Sequence, residues 1–183
     1  MKKILGVAGS PRKNGNTHIL VKNILKGAKD NGAITEILFL KDMDIKECDG
    51  CHTCWKGNGC SKKDDMNNIY PKIIESDIII FGTPVYWYGP TALMKAFIDR
   101  FVYFNCPENR KKIKNKSAVI AVPFEDKSME TVAPLIEFFT KCFEYLQLRF
   151  INKIIVPGVT ARGEISNNKE YMEEAYSLGK GLL

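Results

Sequence analysis

Five short runs in this chain are apolar on neighbouring residues rather than on alternate ones: Ile4 to Ala8, Ala33 to Phe39, Ile78 to Gly82, Ser117 to Val122 and Phe150 to Val156. A strand with one wet face alternates apolar and polar residues, so runs apolar on both faces belong to parallel strands covered by helices. Segments of helical periodicity separate the runs. Strands that alternate with helices give a parallel sheet with crossover connections. The expected fold is therefore α/β, an open, doubly wound five-stranded parallel sheet with helices on both faces.

The first helix is expected to start near Asn16 or Thr17, facing Ile19, Leu20, Ile24, Leu25 and Ala28 inward. It ends at Asp30-Asn31-Gly32, a glycine stop. After Cys60, Asp64-Asp65 opens a segment with Met66, Ile69 and Ile73 at helical spacing. Pro71 breaks that pattern, which predicts a turn followed by a short helix with Pro71 in its first turn. A third helix begins at Pro90. A fourth is capped by Thr131, which puts Pro134 in the first turn, and buries Leu135, Ile136, Phe139, Cys142, Phe143 and Leu146. A last helix covers Lys169 to Leu182.

At 183 residues the chain is expected to form a single domain over residues 1–183. Its net charge of +6 is spread over scattered lysines, which reads as solubility and not as a nucleic-acid surface. No stretch approaches the roughly 18 apolar residues of a membrane span. Met1-Lys2-Lys3 resembles the start of a signal peptide, but its apolar run is too short and ends in a Gly-Ser-Pro-Arg turn. A cytoplasmic location is expected, with no membrane or nucleic-acid partner. In that reducing setting, clustered cysteines act as metal ligands or reactive groups more readily than as disulfides.

Gly9-Ser10-Pro11-Arg12-Lys13-Asn14-Gly15-Asn16-Thr17 joins the first strand to the first helix. Such turns bind anions through backbone N–H groups and the helix N-terminus. The triphosphate loop G-x-x-x-x-G-K-[ST] is absent: five residues separate Gly9 from Gly15, and Asn16 stands where the lysine would be. The dinucleotide pattern G-x-G-x-x-G is absent too. Ser10, Arg12, Asn16 and Thr17 remain, a set suited to a single terminal phosphate monoester. The third strand ends in Thr83-Pro84-Val85-Tyr86-Trp87-Tyr88-Gly89-Pro90. Two prolines and a glycine stiffen this turn. Its aromatics either wall a flat ring at the sheet's carboxyl edge or only cover the edge of the core.

A third feature is Cys48-x2-Cys51-x2-Cys54-x5-Cys60, in a loop over about residues 45–62 inserted between the second and third strands. Glycines at 50, 57 and 59 permit the positive-φ coiling that turns closely spaced sulfurs to one point. Thiolates so gathered call for a soft metal centre, with spacing similar to cluster-binding ferredoxin runs. A zinc site or an unmetallated loop is the alternative, although zinc ligand pairs are usually farther apart.

Taken together, GSPRKNGNT, CDGCHTCWKGNGC, the following DDM, and TPVYW ahead of ALMKAFIDR resemble the iron–sulfur flavoprotein family. That family lies within the wider flavodoxin-like, NADPH-dependent FMN reductase superfamily. The resemblance covers nearly the whole chain and is strongest from Met1 to Arg100. It implies a flavodoxin-like fold, an FMN cofactor and a [4Fe–4S] cluster. By this resemblance Ser10, Arg12, Asn16 and Thr17 hold the FMN phosphate and ribityl chain. Pro84, Val85, Tyr86 and Trp87 contact the ring, and Cys48, Cys51, Cys54 and Cys60 hold the cluster. It further implies a homo-oligomer, dimer or tetramer, that receives electrons from ferredoxin or NAD(P)H. Pro123-Phe124-Glu125-Asp126-Lys127 lacks the glycines many relatives carry there, so the third ring-contacting loop stays unassigned.

The expected function is an oxidoreductase that couples a one-electron donor to a two-electron flavin, with no protein side chain acting as acid or base. The alternative is an FMN-only NAD(P)H-dependent flavin or quinone reductase with a structural or vestigial cysteine loop. A flavodoxin-type carrier is a third reading, against which the basic charge argues. Among single residues, His52 reads as a solvent-facing loop residue, and His18 as a helix-start or flavin-edge group. Cys142 reads as core, Asp99-Arg100 as a structural ion pair, and Trp55 as a shield or a subunit contact.

Overall fold

The computed structural model describes residues 1–183 and holds five strands in one parallel sheet. They are β1 (Lys3–Ala8), β2 (Ile34–Phe39), β3 (Ile78–Gly82), β4 (Ser117–Pro123) and β5 (Arg149–Val156), in the order 2-1-3-4-5. The helices are α1 (Asn16–Asp30), α2 (Met66–Glu75), α3 (Ala92–Asp99), α4 (Pro107–Ile113), α5 (Met129–Leu146) and α6 (Lys169–Lys180). This is the flavodoxin-like fold. Its strand order reverses between β1 and β3, which opens a crevice at the carboxyl ends of those two strands.

Side chains alternate across the sheet and divide the core in two. Leu5, Val7, Ile79, Phe81 and Ile120 pack with α2, α3 and α5. Ile4, Ile78, Ile80, Val119 and Ala121 pack against α1 and α6. β3 and β4 are buried throughout, as runs apolar on both faces require. The edge strands are not, because each has one neighbour and incomplete helical cover. β5 slips register between Ala118 and Val119, so that Ile151 has no partner and stands exposed. The α1–α6 contact is made by two glycines. A Cβ on Gly27 would lie 2.0 Å from the Tyr176 carbonyl, and one on Gly179 would lie 1.9 Å from that of Ile24.

Three helical expectations are corrected. Pro71 lies inside one continuous α2, not in the first turn of a separate helix. Pro134 likewise lies inside α5, which starts at Met129 with the Ser128 hydroxyl accepting from Glu130 N at 3.2 Å. Thr131 does not cap; its hydroxyl donates to Asp126 Oδ2 at 2.6 Å. Both prolines sit on exposed faces, as do Asn67 and Glu130, whose carbonyls lose their helical partner. Water can satisfy those carbonyls, which makes an interior proline tolerable there. α4 was not expected, because its seven residues carry a single apolar inward position, Ile113.

Asp99 and Arg100 do not pair with each other. Asp99 takes Lys95 one turn back at 2.7 Å, and Arg100 turns inward to Asp64. No helix is long and apolar enough to cross a membrane.

Candidate functional site

Four loops meet above the carboxyl ends of β1, β3, β4 and β5, and they are tied together before any ligand is considered. Gly9 N donates to Gly82 O at 2.8 Å, and the Thr91 hydroxyl to Gly9 O at 2.5 Å. Asn16 Nδ2 donates to Ala161 O at 3.0 Å while its Oδ1 accepts from Ile165 N at 3.1 Å. Arg12 Nη1 donates to Thr160 O at 3.0 Å, and the Arg162 guanidinium donates to Lys13 O. The loop after β5 thus buttresses the loop after β1.

Between them lies an open pocket with a cavity volume of about 100 Å³. Ser10, Arg12, Asn16 and Thr17 line one end, and Pro84, Val85 and Tyr86 the other. Ser10 and Thr17 are buried there. Gly15 precedes the first residue of α1, which has no side chain capping it and no acidic residue in its first turn. A helix start with free N–H groups, two hydroxyls and an arginine is suited to an anion. Asn14 N donates to His18 Nδ1 at 3.2 Å, which requires an unprotonated ring nitrogen. Burial, with Lys22 and Lys13 nearby, pushes His18 below its usual value and favours that form.

Trp87 departs from expectation. It does not line this pocket and is 96% exposed. Tyr86 and Gly89 exchange two backbone hydrogen bonds, of 2.9 and 3.0 Å. Closing so tight a turn puts Trp87 at φ 48° and Tyr88 at φ 63°, and throws both rings outward. They border an outer groove that shares Val85, Phe124 and Glu125 with the pocket. Left-handed backbone at a bulky residue costs about 1–2 kcal/mol each.

Sequence reasoning left the loop from Pro123 to Lys127 unassigned and missed Val159 and Thr160 after β5; Pro123 at the end of β4, Phe124, Glu125, Val159 and Thr160 all line the pocket. Their residue types carry no ligand signal. Their position at strand carboxyl ends does, once the strand order is known.

The cysteine loop leaves the end of β2 and is closed at its base by two aspartates. Asp44 N donates to Asp65 Oδ2 at 2.7 Å, and Lys46 N to Asp64 Oδ2 at 3.0 Å. A short 3-10 turn, Thr53–Lys56, is bounded by left-handed His52 (φ 56°) and Gly57 (φ 79°). Gly50 also has positive φ, whereas Gly59 does not. His52 stacks on Trp55 at 4.1 Å, and Trp55 Nε1 donates to Val102 O at 3.3 Å.

Cys48, Cys51, Cys54 and Cys60 are free thiols that line one pocket, with Tyr70, Arg100 and Tyr103 among its walls. Cys54 is buried; burial raises its thiol, and Cys60, Cys48 and Cys51 raise it further. Cys51 is exposed and lowered by hydrogen bonds from the Ser61 and Thr53 hydroxyls, at 3.1 and 3.5 Å. The donor set suits a soft metal: four cysteines line a pocket that stacked Tyr70 and Tyr103 help to wall. The sulfurs share the pocket without converging, and no three cysteine, histidine or carboxylate side chains are drawn together as a ready ligand set. The cysteine pocket and the pocket above β1 and β3 have no lining residue in common.

Residues 2–155 match the model of the NADPH-dependent FMN reductase family. An iron–sulfur flavoprotein of Archaeoglobus fulgidus is 45% identical over 98 residues, which cover 54% of this chain and 48% of that protein. The chain spans about half the length of the iron–sulfur flavoproteins it matches. A putative NAD(P)H-dependent FMN-containing oxidoreductase of Bacillus subtilis is 27% identical, with 97% of each chain covered. Among solved structures, an NAD(P)H:quinone oxidoreductase from Methanothermobacter marburgensis superimposes with a TM-score of 0.80 at 15% identity, covering 100% of this chain and 99% of that one, a likeness of fold.

Proposed function

Because the chain belongs to the NADPH-dependent FMN reductase family, we propose that residues 1–183 form one FMN-binding oxidoreductase domain whose cysteine loop carries a [4Fe–4S] cluster. The observation that carries the cluster reading is the set of four free thiols on one pocket, in a chain 45% identical over 98 residues to a protein named an iron–sulfur flavoprotein.

In this reading the N-terminal turn of α1, Ser10, Thr17 and Arg12 bind the FMN phosphate through charge-assisted hydrogen bonds. Asn16 is already bonded to the Ala161 carbonyl and positions the loop more than it binds the ligand. Pro84, Val85, Tyr86 and Phe124 exclude water around the ring. Trp87 borders the outer groove through which an acceptor would approach. Cys48, Cys51, Cys54 and Cys60 are the cluster ligands. Bound FMN supplies two-electron chemistry that can be released singly, and a cluster passes one electron at a time. Ferredoxin or NAD(P)H as donor, a dimer or tetramer as assembly, and the cytoplasm as location are part of the same proposal. The exposed Lys46, Lys56 and Lys63 around the cysteine loop favour an acidic donor protein.

The sulfurs that do not converge favour a second reading. In it the chain is an FMN-only NAD(P)H-dependent flavin or quinone reductase with a structural or vestigial cysteine loop. The end-to-end likeness to the Bacillus subtilis oxidoreductase agrees with it. Flavin, iron and acid-labile sulfide content of protein prepared without air separates the two. Flavin with iron and sulfide supports the first, and flavin alone overturns it in favour of the second.

A further inference from the structure

Arg100 is 2% exposed and is the largest fully buried side chain in the protein. An isolated guanidinium in such a place is very costly, so its partners must account for it. It makes a fork to both oxygens of Asp64, whose side chain is also wholly buried, and its Nη1 donates to Lys46 O at 2.8 Å. Its Nη2 also donates to Cys60 Sγ at 3.1 Å. All three partners belong to the cysteine loop or its base, although Arg100 itself sits at the end of α3. A structural ion pair needs only the carboxylate. Here one guanidinium nitrogen is shared between that carboxylate and a sulfur.

We propose that Arg100 is a positioning residue for the cysteine centre, which holds Cys60 by an N–H···S hydrogen bond and makes the centre easier to reduce. This rests on the cluster reading above. A one-electron donor protein adds one negative charge to a metal–thiolate centre and is itself oxidised by one electron. A fixed positive charge with an N–H aimed at a ligand sulfur stabilises the more negative state. Asp64 opposes this effect, since its carboxylate offsets the same guanidinium from the other side. The two partners should therefore move the reduction potential in opposite directions, whereas a purely structural pair would lose stability or metal on either change.

The test uses protein prepared without air, with iron and sulfide analysed and the centre's potential followed by electron paramagnetic resonance during a redox titration. Arg100→Gln should make the centre about tenfold harder to reduce, which for a one-electron couple is a downward shift of about 59 mV. Arg100→Lys, which keeps the charge, should recover part of that loss. Asp64→Asn should shift the potential upward. If Arg100→Gln fails to fold or to hold iron, the signs for Arg100→Lys and Asp64→Asn still decide. Potentials unchanged, or moved the same way by both changes while iron is retained, overturn the role of Arg100 alone. An iron-free parent protein overturns the cluster reading, and this inference with it.

Discussion

The pocket proposed for FMN is held by the sheet, whereas the cysteine pocket is held by side chains. The first sits on loops that continue from β1, β3, β4 and β5 and are tied to backbone carbonyls of one another, as by Gly9 N to Gly82 O and the Asn16 side-chain amide to Ala161 O. Its shape follows from strand positions that two hydrophobic cores already specify. The second hangs from one loop off the edge strand β2, closed by Asp64, Asp65 and Arg100. Its sulfurs line one pocket yet do not converge. A site built on strand ends is formed by folding itself. In the cluster reading, a site built on an inserted loop would be completed by its metal.

The sharpest test of that contrast is to remove one thiol. Cys54→Ala should abolish iron and sulfide binding while leaving the protein folded and its FMN content unchanged, as read by metal analysis and flavin absorbance. Loss of flavin along with iron would break the separation of the two regions.

The complementary change is Arg12→Ala with Thr17→Ala. Two charge-assisted hydrogen bonds worth roughly 1.5–3 kcal/mol each should be lost. FMN affinity should fall at least about a hundredfold, riboflavin affinity should barely change, and iron content should stay constant. Equal losses for both flavins in calorimetric titration would move the phosphate elsewhere.

Gly179→Ala tests the support beneath the first site. A Cβ there would lie 1.9 Å from the Ile24 carbonyl, so α1 and α6 must move apart. Overpacking of this kind costs about 1–3 kcal/mol. Denaturant unfolding should register it, and flavin affinity should fall more than iron content. Trp87→Gly should do the opposite on a smaller scale. It relieves left-handed strain and should stabilise the fold by about 0.5–1 kcal/mol without loss of FMN, because Trp87 lies outside the pocket. A large loss of FMN would return Trp87 to the ring.

The smallest expected effect is that of pH on flavin-free protein. His18 titrates below its unfolded value of about 6.5. The unfolded chain therefore binds the extra proton first, and stability should decline as pH falls through that value until the folded pKa is passed. Protonation also removes the acceptor for Asn14 N. His18→Gln should flatten this part of the pH–stability curve, and an unaltered slope would remove His18 from the loop's support.

The loop after β1, proposed to hold the phosphate, and the cysteine spacing were legible in sequence because each concentrates unusual residue types in a few positions. Phe124 and Val159 were not legible, since apolar residues near strand ends are ordinary and acquire meaning only from which strands lie side by side. α4 escaped because one inward residue, Ile113, makes no periodicity. Pro71 and Pro134 misled because a proline's cost depends on whether the carbonyl it deprives of a partner faces water.

The sequence by itself determined the α/β alternation, the buried strands β1, β3 and β4, the start of α1 as an anion-ready turn, and four thiols within reach of one pocket. These are local consequences of periodicity, backbone freedom and short spacing. Only the tertiary structure decided that the loop after β5 ties down the loop after β1, that Trp87 turns outward, and that Arg100 leaves its neighbour Asp99 for Asp64 and Cys60. Each of these joins residues far apart in the chain, or balances a buried charge against its solvation, and such choices are made by packing.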